Sequence, residues 1–470
     1  MGHFTVDTIY SWFTGSNEEK KLLYQTAKAD RPRKFFIQRF TFAPSAGEVR
    51  LFDYKLGRLP TGLLAEGIQA LQSRGHTVSA EMRGEYKLDY RAGTRFDVEL
   101  DSDHQLGALE AMVENPRGIV HAATNSGKTK IAEAWACLFQ AKLLYLVPTK
   151  ELLEQTLESF RKDTNLKLGY FSAERGWKVG DDVTVALAST ISHAKSRKRF
   201  LELADQFNAL IVDECHHSRS KSWRWILKAL KRCYYRYGMS GTPWNPKDKA
   251  EGLEVRAFLG PVIYTVTNEQ LISKGWSAVP KIKMIPIHSR VETPDNSDYV
   301  EIYKRGIANS IERNSIITTI VRRMVDQNKT VLIISKRLEQ CDTLLGMLDE
   351  LGVRYGLVIG ETPKDERKKI LKQLREQKIQ AVVSTVLGEG VDIPTLSGIV
   401  LASGEKESKQ QLQRIGRGLR KKKEGENVTE IFDFIDLGHP TLAKHSKERM
   451  SIYRKEGFEV QEIAASEFDL

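Results

Sequence analysis

Short, continuous apolar runs separated by amphipathic stretches set the plan of this chain. Residues 118–121, 142–147, 183–187, 210–212 and 237–240 are apolar runs without strict alternation. Such runs read as strands buried on both faces, which occur in parallel sheets covered by helices. Residues 105–113 and 130–140 carry helical spacing, so the first series predicts alternating strands and helices. A second series follows at 330–335, 354–359, 380–385, 398–402 and 429–434 and predicts a second sheet of the same kind. Between the series, 268–280 and 292–297 read as connector and loop. Upstream the pattern changes. Phe35, Phe36, Phe40 and Phe42 interleave with Arg31, Arg33, Lys34 and Arg39, and Val49-Arg50-Leu51-Phe52-Asp53-Tyr54 follows. This alternation predicts a small sheet with one positive face, and 63–73 predict a helix. The expected layout is α/β, with a small α+β domain over 1–95, one parallel-sheet lobe over 96–278 and a second over 279–470.

Composition narrows the class. Hydrophobic residues at 41% and charged residues at 28% exclude a disordered or fibrous chain. The net charge of +11 suits a polyanionic partner. The four cysteines, Cys137, Cys215, Cys233 and Cys341, lack Cys-x-x-Cys spacing, which points to a reducing compartment and no structural zinc. No apolar run is long enough to cross a membrane, so a soluble, cytoplasmic protein is expected, in the host cytoplasm if phage-encoded.

Two segments carry chemistry. Ala122-Ala123-Thr124-Asn125-Ser126-Gly127-Lys128-Thr129 lies between a predicted strand and a predicted helix. A small-residue loop there turns backbone N–H groups towards phosphate oxygens, and the helix N-terminus adds the positive end of its dipole. Thr124, Asn125, Ser126 and Gly127 would form the cradle. Lys128 would reach the β- and γ-phosphates, and Thr129 would offer its hydroxyl to Mg²⁺. The second segment, Asp213-Glu214-Cys215-His216, ends the apolar run at 210–212. Carboxylates at the C-terminal end of a buried strand sit where open α/β sheets bind ligands. Asp213 would hold Mg²⁺ and Glu214 would deprotonate the attacking water. Hydrolysis of ATP with Mg²⁺ is the expected chemistry.

These residues belong to a wider pattern. The chain resembles superfamily 2 helicases and translocases over about residues 96–436, with seven motifs in family order. The phosphate loop resembles motif I, with Asn125 in place of the inner glycine. Pro148-Thr149-Lys150-Glu151-Leu152 resembles motif Ia, Ser189-Thr190 motif Ib, and Asp213 to His216 motif II. Ser240-Gly241-Thr242-Pro243 resembles motif III. Ser384-Thr385 with Gly388-Glu389-Gly390-Val391-Asp392-Ile393-Pro394 resembles motif V, and Gln413-Arg414-Ile415-Gly416-Arg417-Gly418-Leu419-Arg420 motif VI. The resemblance implies two tandem RecA-like lobes with ATP between them. It implies that Gln413 faces the γ-phosphate, that Arg417 and Arg420 are arginine fingers, and that Gly390 and Asp392 touch the nucleotide. Gln105 resembles the adenine-reading glutamine. His216 would couple the nucleotide site to Ser240 and Thr242, while Lys150, Ser189, Thr190 and Thr385 would hold a nucleic-acid backbone.

Residues 34–78 resemble the N-terminal domain of phage recombination and repair helicases of the UvsW type, through their Arg-Leu-x-Asp-Tyr and Leu-Pro-x-Gly-Leu patterns. That resemblance implies a monomeric, ATP-driven DNA helicase or translocase acting on forks, Holliday junctions and displacement loops. Recombination or replication proteins would be its partners, and Arg31, Arg33, Lys34 and Arg39 would contact DNA. An RNA helicase and an ATP-driven clamp that does not unwind are the other readings. The motor is expected to fold without the first domain.

Overall fold

In the computed structural model the chain forms two compact units, Met1–Val266 and Thr267–Leu470. The structure describes residues 2–32, 34, 38–39, 47–97, 99–100, 102–123, 126–292, 298–386, 396–404, 427–464 and 467.

The first unit is built on an eight-stranded sheet. Its order is Gly176–Lys178, Leu168–Ser172, Val183–Leu187, Leu143–Val147, Ala209–Asp213, Tyr235–Ser240, Arg117–Ala122 and Val262–Val266. Every adjacent pair is parallel except the first. Leu143–Val147 and Ala209–Asp213 are buried at every residue, which is why their sequences run apolar without a break. Leu168–Ser172 and the edge strand Val262–Val266 mix polar and apolar positions, and they escape the sequence reading.

The second unit holds a seven-stranded, wholly parallel sheet. Its order is Tyr355–Val358, Ala381–Ser384, Val331–Ile334, Gly398–Leu401, Val428–Asp436, Val279–Ile287 and Glu459–Glu462. The two sheets are the expected tandem RecA-like lobes. The expected connector at 268–280 is structured instead. Thr267 and Gln270 form a capping box for the helix Asn268–Ser273, and a nine-residue strand begins at Val279. Pro280 and Pro286 hide that strand in the sequence. Both lie outside the segment Lys281 to Met284 that pairs with Glu459–Glu462, so the N–H each lacks costs that ladder nothing. The expected loop at 292–297 lies outside the described residues beyond Glu292.

The N-terminal sheet also departs from expectation. Its four strands, ordered Arg58–Pro60, Tyr10–Thr14, Gly2–Val6 and Val78–Met82, come mostly from outside the basic-aromatic stretch. Lys28–Asp30 and Glu48–Arg50 pair only with each other. The expected helix appears as Thr61–Leu63 followed by Leu64–Gln72.

These first residues share the hydrophobic core of the lobe behind them: Phe4, Phe13, Leu23 and Leu59 belong to one continuous buried cluster with Leu253, Val255 and Leu259. The helix Lys249–Leu259 forms the seam. Its Arg256 donates to Glu66 at 2.7 Å, and Arg31 donates to its Glu254 at 2.7 Å. Arg117, whose guanidinium burial and then the Arg236 charge pull down to about 9, donates to the Thr8 carbonyl at 3.2 Å. A motor cut near residue 93 would therefore lose part of its own core, contrary to the expectation that it folds alone. Gly62 tests the seam. A Cβ there would lie 2.1 Å from the Arg256 carbonyl oxygen and 2.6 Å from that of Ala257, both backbone atoms. Gly62→Ala is expected to cost about 1–3 kcal/mol, read as a fall of several degrees in Tm. An unchanged Tm would show that the seam yields freely.

Candidate nucleotide site on the first sheet

The strands of the first lobe bring the predicted residues to one edge. Ser240 pairs with His121, Asp213 with Met239, and Leu187 with Val147. The C-terminal ends of five adjacent strands thus lead, in order, into Ser189-Thr190, Thr149-Lys150, Asp213-Glu214, Ser240 to Thr242 and the phosphate loop. At about 4.8 Å between strands, that row is about 19 Å long. Ligands of open parallel sheets bind at this edge.

The phosphate loop leaves Arg117–Ala122 and enters the helix Lys128–Leu138 through Gly127, which caps the helix with φ +77. Its packing also demands glycine, because a Cβ would lie 2.1 Å from Gln105 Nε2. Gln105, on the helix Ser102–Glu114, donates to the Ser126 carbonyl at 3.1 Å. His104 Nε2 makes a second bond to the same oxygen at 3.0 Å. The sequence reading set His104 aside, although its place beside Gln105 was the available signal. Ser126 Oγ is buried without a hydrogen-bond partner among the described residues. Lys128 Nζ rests 3.3 Å from the Ala122 carbonyl and 3.5 Å from that of Ala123. Thr124 and Asn125 lie outside the described residues.

The carboxylate pair is tightly arranged. Glu214 sits in the left-handed region at φ 47, a conformation that a non-glycine residue holds only when its surroundings impose it. Its N–H donates to Asp213 Oδ1 at 2.9 Å. Ser240 Oγ donates to Glu214 Oε2 at 3.1 Å, His216 Nδ1 lies 3.4 Å from the same oxygen, and Thr242 N donates to Ser240 Oγ at 3.1 Å. The structure thus gathers Glu214, His216, Ser240 and Thr242 into one cluster. Burial works against charge on Glu214, but His216, the Lys128 charge and Ser240 together hold its carboxyl down at about 2. It is therefore ionised at neutral pH. The donor set of Asp213 carboxylate and Thr129 hydroxyl is made of hard oxygens, which fits Mg²⁺.

The expected nucleic-acid contacts divide. Ser189 and Thr190 lie on the short helix Ala188–Ser192, and the Thr190 hydroxyl is buried without a hydrogen-bond partner among the described residues. Lys150 opens the helix Lys150–Asp163 and pairs with Glu174. In the second lobe, Thr385 follows Ala381–Ser384 and donates its N–H to the Val358 carbonyl at 3.2 Å. Arg39 is exposed. Arg31 and Lys34 are engaged inside the protein, Arg31 with buried Glu254 and Lys34 with Glu48 and Asp30. Arg33, Gly390, Asp392, Gln413, Arg417 and Arg420 lie outside the described residues.

Comparison with known families agrees with this geometry. Residues 99–245 match the family described as the res subunit of type III restriction enzymes, and residues 312–422 match the conserved C-terminal helicase domain. The chain is a superfamily 2 helicase. Membership implies ATP-dependent unwinding of nucleic acid. This helicase is 25% identical over 370 residues to the DNA 3'-5' translocase XPB2 of Sulfurisphaera tokodaii, covering 70% of this chain and 80% of that one. It is 25% identical over 433 residues to the ATP-dependent DNA helicase uvsW of Enterobacteria phage T4, covering 85% and 84%. Among solved structures, S. cerevisiae Dbp5 bound to RNA and ADP BeF3 superposes with a TM-score of 0.56 at 17% identity, over 78% of this chain and 90% of that one. That likeness shows the shared fold. Among the described residues, no helix is long and apolar enough to cross a membrane.

Proposed function

We propose that this helicase is a DNA motor that hydrolyses ATP to move along or remodel branched DNA: forks, four-way junctions and displacement loops. The observation that carries the ATP half is the row of motif residues along one sheet edge, with Glu214 ionised and held by Ser240 and His216. Lys128 binds the β- and γ-phosphates, and Gln105 reads adenine beside the loop it braces. Thr129 and Asp213 hold Mg²⁺, which supplies charge neutralisation on the phosphate oxygens when bound. Glu214 orients the attacking water and takes its proton. Gln413, Arg417 and Arg420 stabilise the γ-phosphate from the second lobe, with Gly390 and Asp392 against the nucleotide. Ser240 and Thr242, linked to Glu214 directly and through His216, carry the nucleotide state towards the backbone-binding residues.

DNA is favoured by the net charge of +11 and by the phage relative named as a DNA helicase, which aligns with 85% of this chain. Lys150, Ser189, Thr190 and Thr385 contact the strand backbone. Such contacts position a strand without reading its sequence. Residues 1–95 serve as the branch-recognising part, joined to lobes at about 96–278 and 279–470 in a monomer. The test is steady-state ATP hydrolysis with single-stranded, duplex, forked and four-way DNA and with RNA. Branched DNA is expected to stimulate most. Equal or greater stimulation by RNA would transfer the reading to an RNA helicase.

A further inference from the structure

In the core of the second lobe, two arginines and two aspartates are almost wholly removed from water. Arg313, Arg449 and Asp433 have fully buried side chains, and that of Asp436 is 3% exposed. Arg449 grips Asp433 with two bonds, Nε to Oδ2 at 2.8 Å and Nη2 to Oδ1 at 3.1 Å, and Tyr453 donates to Asp433 Oδ2 at 2.8 Å. Arg313 pairs with Asp436 and lies over the Phe434 ring at 4.2 Å. Buried ion pairs add little net stability compared with apolar side chains of similar volume. Stability alone therefore does not account for them.

Their remaining N–H groups show what else they hold. Arg313 Nη2 donates to the Ala402 carbonyl at 3.1 Å and the Leu401 carbonyl at 3.4 Å, and Arg449 Nη1 donates to the Gly404 carbonyl at 2.8 Å. These carbonyls belong to the chain as it leaves the strand Gly398–Leu401 at the ligand-binding edge of the sheet. Gly404 is left-handed at φ +57, and a Cβ there would lie 2.9 Å from Ile307 Cδ1 and 3.3 Å from Arg313 Nη2. From Gly404 the chain continues towards Gln413, Arg417 and Arg420. We propose that Arg313 and Arg449 are positioning residues, which anchor the root of the arginine-finger segment so that its charges meet the γ-phosphate in the transition state. This rests on the assignment of Arg417 and Arg420 as fingers. Misplacement of a catalytic group by about 1 Å costs about 10²-fold in rate.

Arg449→Lys keeps a charge for Asp433 but cannot hold Asp433 and the Gly404 and Phe434 carbonyls in one fork. The full-length protein with saturating DNA is expected to lose about 10- to 100-fold in kcat. It should lose a similar factor in affinity for ADP with aluminium fluoride, while ADP affinity and the KM for ATP stay within about twofold. Wild-type kcat and analogue affinity in a folded Arg449→Lys protein would overturn the proposal, as would equal losses of ADP and analogue binding. If that variant does not fold, Arg449→Met with Asp433→Leu and Tyr453→Phe replaces the pair by apolar groups and is read in the same way. Arg417→Ala in the same assay separates the two ideas: unchanged analogue affinity there would sink the finger assignment itself.

Discussion

Glu214→Gln is expected to bind ATP with near wild-type affinity and to hydrolyse it about 10²- to 10⁴-fold more slowly, the usual contribution of a general base. The substitution is close to isosteric. It leaves Asp213, Lys128 and Thr129 to bind the nucleotide, and its amide oxygen still accepts from Ser240. What it removes is the ionised carboxylate that burial opposes and that His216, Lys128 and Ser240 sustain. The strained φ of 47 at this position is set by the turn and not by the side-chain charge, so the loop should survive. Single-turnover hydrolysis with DNA present, alongside nucleotide binding at equilibrium, checks both halves. Hydrolysis at the wild-type rate would remove Glu214 from the role of base.

Arg417→Ala is expected to lower kcat by about 10³- to 10⁵-fold, the range seen when an arginine finger is absent from related phosphoryl transfers. Its charge acts on the γ-phosphate as negative charge shifts in the transition state, so the loss should fall on turnover and spare ground-state affinity. Turnover and KM for ATP, measured at saturating DNA, decide it. Weaker ATP binding at unchanged turnover would make Arg417 a ground-state contact.

The legible parts of this protein are those where a physical rule leaves a direct trace in residue order. Strands buried on both faces, such as Leu143–Val147 and Val331–Ile334, must be apolar throughout, and they announced two parallel sheets. The nucleotide residues were legible because phosphate and metal chemistry dictates Gly127-Lys128-Thr129 and Asp213-Glu214 locally. Edge and proline-bearing strands were hidden. Val279–Ile287 reads as a connector because the reason its prolines are tolerated lies in the neighbouring strand's length, which sequence order does not reveal. The positive stretch at Arg31 and Lys34 misled for a related reason. Their partners Glu254 and Glu48 are distant or unremarkable in sequence, and only folding brings them together. The buried Arg449–Asp433 pair left no trace for the same reason: a charged residue in a helix reads as a solvated one until its neighbours are known.

The central claim is tested most directly by strand exchange on a synthetic four-way junction, with ATP and Mg²⁺, against a tailed linear duplex of matched length. The account predicts that the full-length helicase converts the junction to forked products faster than it separates the linear duplex, and that Glu214→Gln does neither. Linear duplex separated as fast as the junction, or junction conversion that persists in Glu214→Gln, would contradict it.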